Sequence, residues 1–117
     1  AADRGVHRKH QYACSLAEVQ EYLQPFANVH YFQGIFPEST RDVPEQQYSL
    51  AHFDVDLYEG TKGCLEYFYP RMIPGGIMLS HDYGLLAGVE QAFHEFLADK
   101  PEQLIELPST QCLVIKL

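Results

Sequence analysis

Two acids one residue apart, Asp54-Val55-Asp56, close one apolar run of this chain, and an imidazole–carboxylate pair, His81-Asp82, closes another. Along an extended backbone, alternate residues point the same way, so Asp54 and Asp56 share a side. Like charges so placed repel unless a cation or a donor lies between them. Carboxylate oxygens joined by one imidazole nitrogen suit a divalent metal: Mg²⁺, Mn²⁺, Ca²⁺ or a non-heme transition metal. A second reading needs no ligand. Asp56 precedes one helical segment and Asp82 another, so both acids could cap helix N-termini.

The elements that would hold these residues follow from the pattern around them. Ser49 to Asp54 is a short apolar strand, Thr61 to Tyr69 is helical, and Pro74-Gly75-Gly76 is a turn that releases the strand Ile77–Asp82. Strand, helix and strand in that order form a βαβ unit. Ligands of such sheets bind beyond the carboxyl ends of the parallel strands, where all four ionisable side chains would converge. Upstream, Ser15 and Glu18 have the spacing of a capping box, opening a helix that Pro25 ends. Asn28 to Phe36 is rich in strand formers and predicts a further strand at Val29–Phe32, with Gly34 at its exit. Downstream, Val89, Ala92, Phe93, Phe96 and Leu97 recur at helical spacing. Leu104–Leu107 and Cys112–Leu117 flank Pro108-Ser109-Thr110 as a closing hairpin. The order predicts an α/β fold, a three-layer or incomplete two-layer sandwich of about five strands whose last two form an antiparallel hairpin.

A chain of 117 residues is one domain, here residues 1–117 with 1–14 as a flexible arm. The absence of an initiating Met reads as a fragment. A net charge of −8 argues against a nucleic-acid backbone as partner. No apolar run is long enough to span a membrane, and the first residues carry no signal-peptide core. The cysteines, Cys14, Cys64 and Cys112, are odd in number and form no CxxC pair, so a reduced, cytoplasmic setting is expected. His52, inside an apolar strand, is expected to be packed, and His94, opposite the apolar stripe of its helix, solvated. Tyr58 and Tyr83 follow the acidic pairs and could line a pocket or the core.

The stretches FDVDLYEGTKGCLEYFYPRM, PGGIMLSHDYG and GVEQAFHEF resemble the second half of the macrocin O-methyltransferase family, and NVHYFQGIFPEST resembles its third strand and exit loop. The resemblance runs from about Ser15 to Leu117. It implies a partial Rossmann-like, class I methyltransferase sheet and S-adenosylmethionine as methyl donor. It also implies a metal held at Asp54, His81 and Asp82, with Asp54 and Asp82 as catalytic residues orienting the hydroxyl of a small substrate. The family has two acids where this chain has His81-Asp82. An imidazole is a softer ligand and a poorer partner for Mg²⁺, which tilts the site towards a transition metal or no metal at all. The family's glycine-rich cofactor loop has no counterpart here, since Gly75-Gly76 precedes a strand instead of following one. That leaves Gly34 and Phe36 as the cofactor-binding positions.

Two functional classes follow: a truncated S-adenosylmethionine-dependent O-methyltransferase, or a non-catalytic binding or interaction module on half of that fold. A haloacid-dehalogenase-type phosphatase would also place an Asp-x-Asp after a strand, but Tyr58 stands where those enzymes have Thr or Val. In the class I strand order, two strands separate the family's third strand from its fourth. Without them Val29–Phe32 must pair directly with Leu50–Phe53 or leave a bare edge. That edge, with its aromatic surroundings, predicts a homodimer or larger homo-oligomer.

Overall fold

Among the described residues four strands make one mixed sheet, and each forms where apolar and β-branched residues are bounded by turn formers. In the computed structural model, which describes residues 13–117, the elements are α1 (Leu16–Leu23), β1 (Tyr48–Phe53), α2 (Tyr58–Phe68), β2 (Met72–Ser80), α3 (Ala87–Leu97), β3 (Leu104–Glu106) and β4 (Cys112–Ile115). Short 3₁₀ turns lie at Glu38–Asp42 and Tyr69–Arg71. Apart from its last two positions, the expected flexible arm lies outside the described residues.

The sheet order is β1-β2-β4-β3. β1 and β2 run parallel, joined by α2 as crossover, and β4 is antiparallel to both β2 and β3. This is the α/β arrangement with a closing hairpin that the pattern predicts. Pro74-Gly75-Gly76 lies within β2, where the pairing jumps from Tyr48↔Met72 to Leu50↔Ile77. Gly75 adopts φ +81, and a Cβ on Gly76 would sit 2.9 Å from the Ile73 carbonyl oxygen and 3.2 Å from that of Tyr48. Only glycine accepts that approach.

One face of the sheet carries the core. Ala51 and Phe53 of β1, Met78 and Ser80 of β2, and Cys112 and Val114 of β4 alternate inward and meet Leu65 of α2 and Val89 and Phe93 of α3. Phe53 and Phe93, both almost fully buried, contribute about 2–3 kcal/mol each. Phe68 collects Phe36, Tyr48, Phe53 and Tyr67 around its ring at centroid distances of 4.9–5.9 Å.

The opposite face is apolar as well, yet it is open. Leu50, Ile77 and Ile115 form one row across it, and His52, Leu79, Leu113 and Ile105 the next. Leu50 is 59 % exposed, Ile105 43 % and Ile115 42 %. His52 is therefore exposed, not packed: it alternates with the buried Ala51 and Phe53 and faces the uncovered side.

The strand expected at Val29–Phe32 does not form; that segment has no regular secondary structure. A strand needs a neighbour to satisfy its backbone groups, and among the described residues nothing pairs with the outer edge of β1. Among the described residues the sheet therefore has four strands, not about five. α1 forms as predicted, with Ser15 accepting from the Glu18 N–H and the Glu18 carboxylate accepting from the Ser15 N–H. The helix buries none of its residues.

Candidate functional site

The parallel register fixes the rim. Phe53 pairs with Ser80, and the His81 N–H donates to the Phe53 carbonyl at 2.9 Å, so Asp54 and His81 leave adjacent strands side by side. His81 Nδ1 lies 3.1 Å from Asp82 Oδ1 and 3.9 Å from Asp54 Oδ1. One ligand atom from each of the three residues falls within 4.8 Å of the others. Asp82 is the most enclosed, its side chain 14 % exposed against 41 % for His81 and 66 % for Asp54. The Asp82 carboxylate beside Nδ1, reinforced by Asp54 and Asp56, holds the His81 imidazole above its ordinary pKa despite some desolvation.

The backbone around the rim is held in an unusual state. Asp56 and Asp82 both have φ +59. A non-glycine residue in the left-handed region is uncommon, and such conformations gather at functional sites. The chain turns back after Asp82, whose carbonyl accepts from the N–H groups of Leu85 and Leu86 at 3.3 and 3.0 Å. The N-cap positions of α2 and α3 fall on Leu57 and Leu86, not on the acids. Neither Asp56 nor Asp82 thus occupies the position that the capping reading requires.

The tyrosines beside the acids have settled roles. Tyr58 donates to Glu95 Oε2 at 2.6 Å across α2 and α3, a bond that pushes its own pKa up to about 12. Tyr83 is buried in the core with its hydroxyl 3.1 Å from His94 Nε2. His94 is solvated as expected, its side chain 64 % exposed. Gly34 adopts φ +148 in an exposed loop, and a Cβ there would meet Ser39 at 3.1 Å. The Phe36 ring stacks on Phe68 at 5.9 Å and meets Tyr67 edge-on at 5.5 Å. No local pattern marks Glu102 as a buried anchor. Its carboxylate accepts from Tyr69, Lys116 and the Leu117 N–H.

Comparison with known proteins decides the family. Residues 1–110 match the macrocin O-methyltransferase family. The chain belongs to that family. Among the relatives is a tetracenomycin 4'-O-methyltransferase of Streptomyces olivaceus that methylates a dimethoxy-rhamnosyl compound, 32 % identical over 68 residues, which are 58 % of this chain and 26 % of the relative. The mycinamicin III 3''-O-methyltransferase of Micromonospora griseorubida is 30 % identical over 70 % of this chain and 34 % of its own length. The demethyldecarbamoylnovobiocin O-methyltransferase of Streptomyces niveus is 28 % identical over 92 % of this chain and 44 % of its own. The solved O-methyltransferase NovP superposes with a TM-score of 0.86 at 24 % identity, over 99 % of this chain and 52 % of that one. A TDP-rhamnose 3'-O-methyltransferase of calicheamicin biosynthesis superposes with a TM-score of 0.55 at 29 % identity, over 68 % of this chain and 35 % of its own. This macrocin O-methyltransferase family chain thus spans less than half the length of these curated relatives and about half of NovP. No helix among the described residues is long and apolar enough to cross a membrane.

Proposed function

We propose that this chain supplies the acceptor-side part of an S-adenosylmethionine-dependent O-methyltransferase acting on a sugar hydroxyl. The observation that carries the reading is the convergence of Asp54, His81 and Asp82 at two adjacent parallel strand ends, in a family where one relative is named for methylating a rhamnosyl compound and a solved neighbour for methylating TDP-rhamnose. The donor set, two carboxylates and an imidazole close enough to share one ion, fits Mn²⁺ or another borderline divalent cation better than Mg²⁺. Asp54, His81 and Asp82 would hold it, and such an ion supplies a Lewis acid that makes a coordinated hydroxyl more acidic. Asp54 and Asp82 orient the acceptor by taking hydrogen bonds from its hydroxyl groups, and the enclosed Asp82 is the group placed to receive a proton. Asp54, exposed at the rim, is the side that substrate meets first.

The methyl donor is a different matter. Gly34 sits in an exposed loop and the Phe36 ring is committed to Phe68, so these positions alone do not make a cradle for S-adenosylmethionine. The 117 residues contain no glycine-rich turn between a strand and a helix. That absence keeps the non-catalytic alternative, a binding module on half of the fold, as the second reading.

A titration with methyl α-L-rhamnoside, followed through the His81 imidazole NMR signals with Zn²⁺ present, tests the proposal. The signals should shift in the wild type and not in Asp54→Asn. Unmoved signals in both would count against an acceptor site at this rim.

A further inference from the structure

Both acidic turns of the rim lead into helices that begin without help from a side chain. α2 starts after Leu57 and α3 after Leu86, and neither N-cap residue makes a side-chain cap hydrogen bond. The first N–H groups of a helix lack intrahelical partners, and a leucine side chain offers them none. α2 has the weaker start, with Gly60 in its first turn. The rim lies on that turn. A Cβ on Gly60 would come within 3.3 Å of the Val55 side chain, and the Leu57 N–H donates to the Val55 carbonyl at 2.6 Å. Fraying of the first turn of α2 therefore moves Asp54, Val55 and Asp56 with it.

Two tyrosine hydroxyls cross from these turns to neighbouring residues of α3. Tyr58, the first residue of α2, donates to Glu95 Oε2 at 2.6 Å. Gln91 Nε2 donates to Glu95 Oε1 at 2.7 Å, so both carboxylate oxygens are engaged, and the two bonds hold the Glu95 carboxyl below its ordinary range. Tyr83 directly follows Asp82. Its ring meets Phe93 edge-on at 6.2 Å, and its hydroxyl lies 3.1 Å from His94 Nε2. His94 and Glu95 are consecutive, so one short stretch of α3 ties down both turns whose acids adopt φ +59. Such left-handed residues persist only where their surroundings over-determine them. The Tyr58–Glu95 bond is exposed, so water competes for it and it adds little to global stability. Its effect is local, on the start of α2.

We propose, on the reading that Asp54, His81 and Asp82 act as one site, that His94 and Glu95 are its positioning residues. Through the Tyr83 and Tyr58 hydroxyls they fix the spacing between Asp54 on one turn and His81 and Asp82 on the other. Groups that share one ligand must be held to within about 0.5 Å of their working geometry. Asp54 is the member that most needs the tether: it is 66 % exposed, and its Oδ1 stands 3.9 Å from His81 Nδ1, whereas Asp82 approaches to 3.1 Å.

The test takes the intact chain and reads Mn²⁺ affinity by electron paramagnetic resonance and, without metal, amide exchange at the start of α2. Glu95→Ala, Tyr58→Phe and His94→Ala should each weaken Mn²⁺ binding about fivefold. Glu95→Ala and Tyr58→Phe should also speed exchange in the first turn of α2, while Val89 and Phe93 keep the wild-type rate. Glu95→Gln, which keeps an acceptor for Tyr58, should bind close to the wild-type affinity. So should Glu66→Gln, which removes a charge of α2 outside the tether. Wild-type affinity in Glu95→Ala or His94→Ala would overturn the proposal and leave the rim standing as one site. A loss in Glu66→Gln as large as in Glu95→Ala would also overturn it, because removal of a charge alone would then explain the effect. No Mn²⁺ uptake by the wild type would overturn the reading of the rim as one site, and the proposal with it.

Discussion

Glu102 gives the sharpest quantitative expectation. Its side chain is fully enclosed, 2.8 Å from both the Tyr69 hydroxyl and Lys116 Nζ and 3.2 Å from the Leu117 N–H, so it ties the end of β4 to the segment after α3. Burial alone would raise its pKa. The hydrogen bonds from Lys116 and Tyr69 outweigh that and bring it down to about 2 from 4.5. That difference corresponds to about 3 kcal/mol favouring the charged form in the folded state. The folded pKa is depressed, so the stabilisation is complete above pH 4.5 and is lost as pH falls towards 2. Glu102→Gln keeps an acceptor for Tyr69 but leaves Lys116 without its counter-charge. At neutral pH it should cost about 3 kcal/mol, or roughly 10 °C in Tm. Urea unfolding of both proteins between pH 7 and pH 2 is the assay. The gap between them should close as pH approaches 2. A gap that stays constant down to pH 2, or none at pH 7, would show that these contacts do not hold Glu102 charged.

Other expectations follow from the same geometry. Ser15→Ala should remove about 1 kcal/mol from α1, visible as faster amide exchange there with an unchanged global Tm, because α1 buries nothing. Burial pushes the Cys64 thiol up to about 11 and Cys112 up to about 12, so a thiol reagent at pH 8 should label Cys14 rapidly and the other two only on unfolding. Gly76→Ala should cost about 1–3 kcal/mol by chemical denaturation, since the new Cβ meets backbone carbonyls at 2.9 and 3.2 Å.

What the sequence reveals of this fold follows the reach of its signals. The capping box at Ser15 and Glu18, the stripe Val89–Ala92–Phe93 and the βαβ rhythm through Asp54 and Asp82 are local patterns, and each predicts the element observed. Val29–Phe32 is as β-rich as β1, but strand formation is a property of pairs, and propensity cannot say that the neighbour is absent. His52 fails for the same reason: alternation shows that it points away from Phe53, not whether anything covers that side. Convergence at the rim was readable because parallel strands joined by one crossover must end together. The left-handed conformations of Asp56 and Asp82 and the enclosure of Glu102 were not, since they depend on how the chain turns after the strands and on contacts between distant segments.

Mn²⁺ binding tests most directly the proposal that Asp54, His81 and Asp82 act as one site. Wild-type protein at neutral pH should take up one equivalent and gain about 2.7 kcal/mol of stability at a free concentration one hundredfold above Kd. Affinity should fall as His81 gains its proton, with a midpoint above the ordinary imidazole value of 6.5. Asp54→Asn and Asp82→Asn should each abolish the uptake. Equal Mn²⁺ binding by wild type and both variants would contradict the assignment of the site.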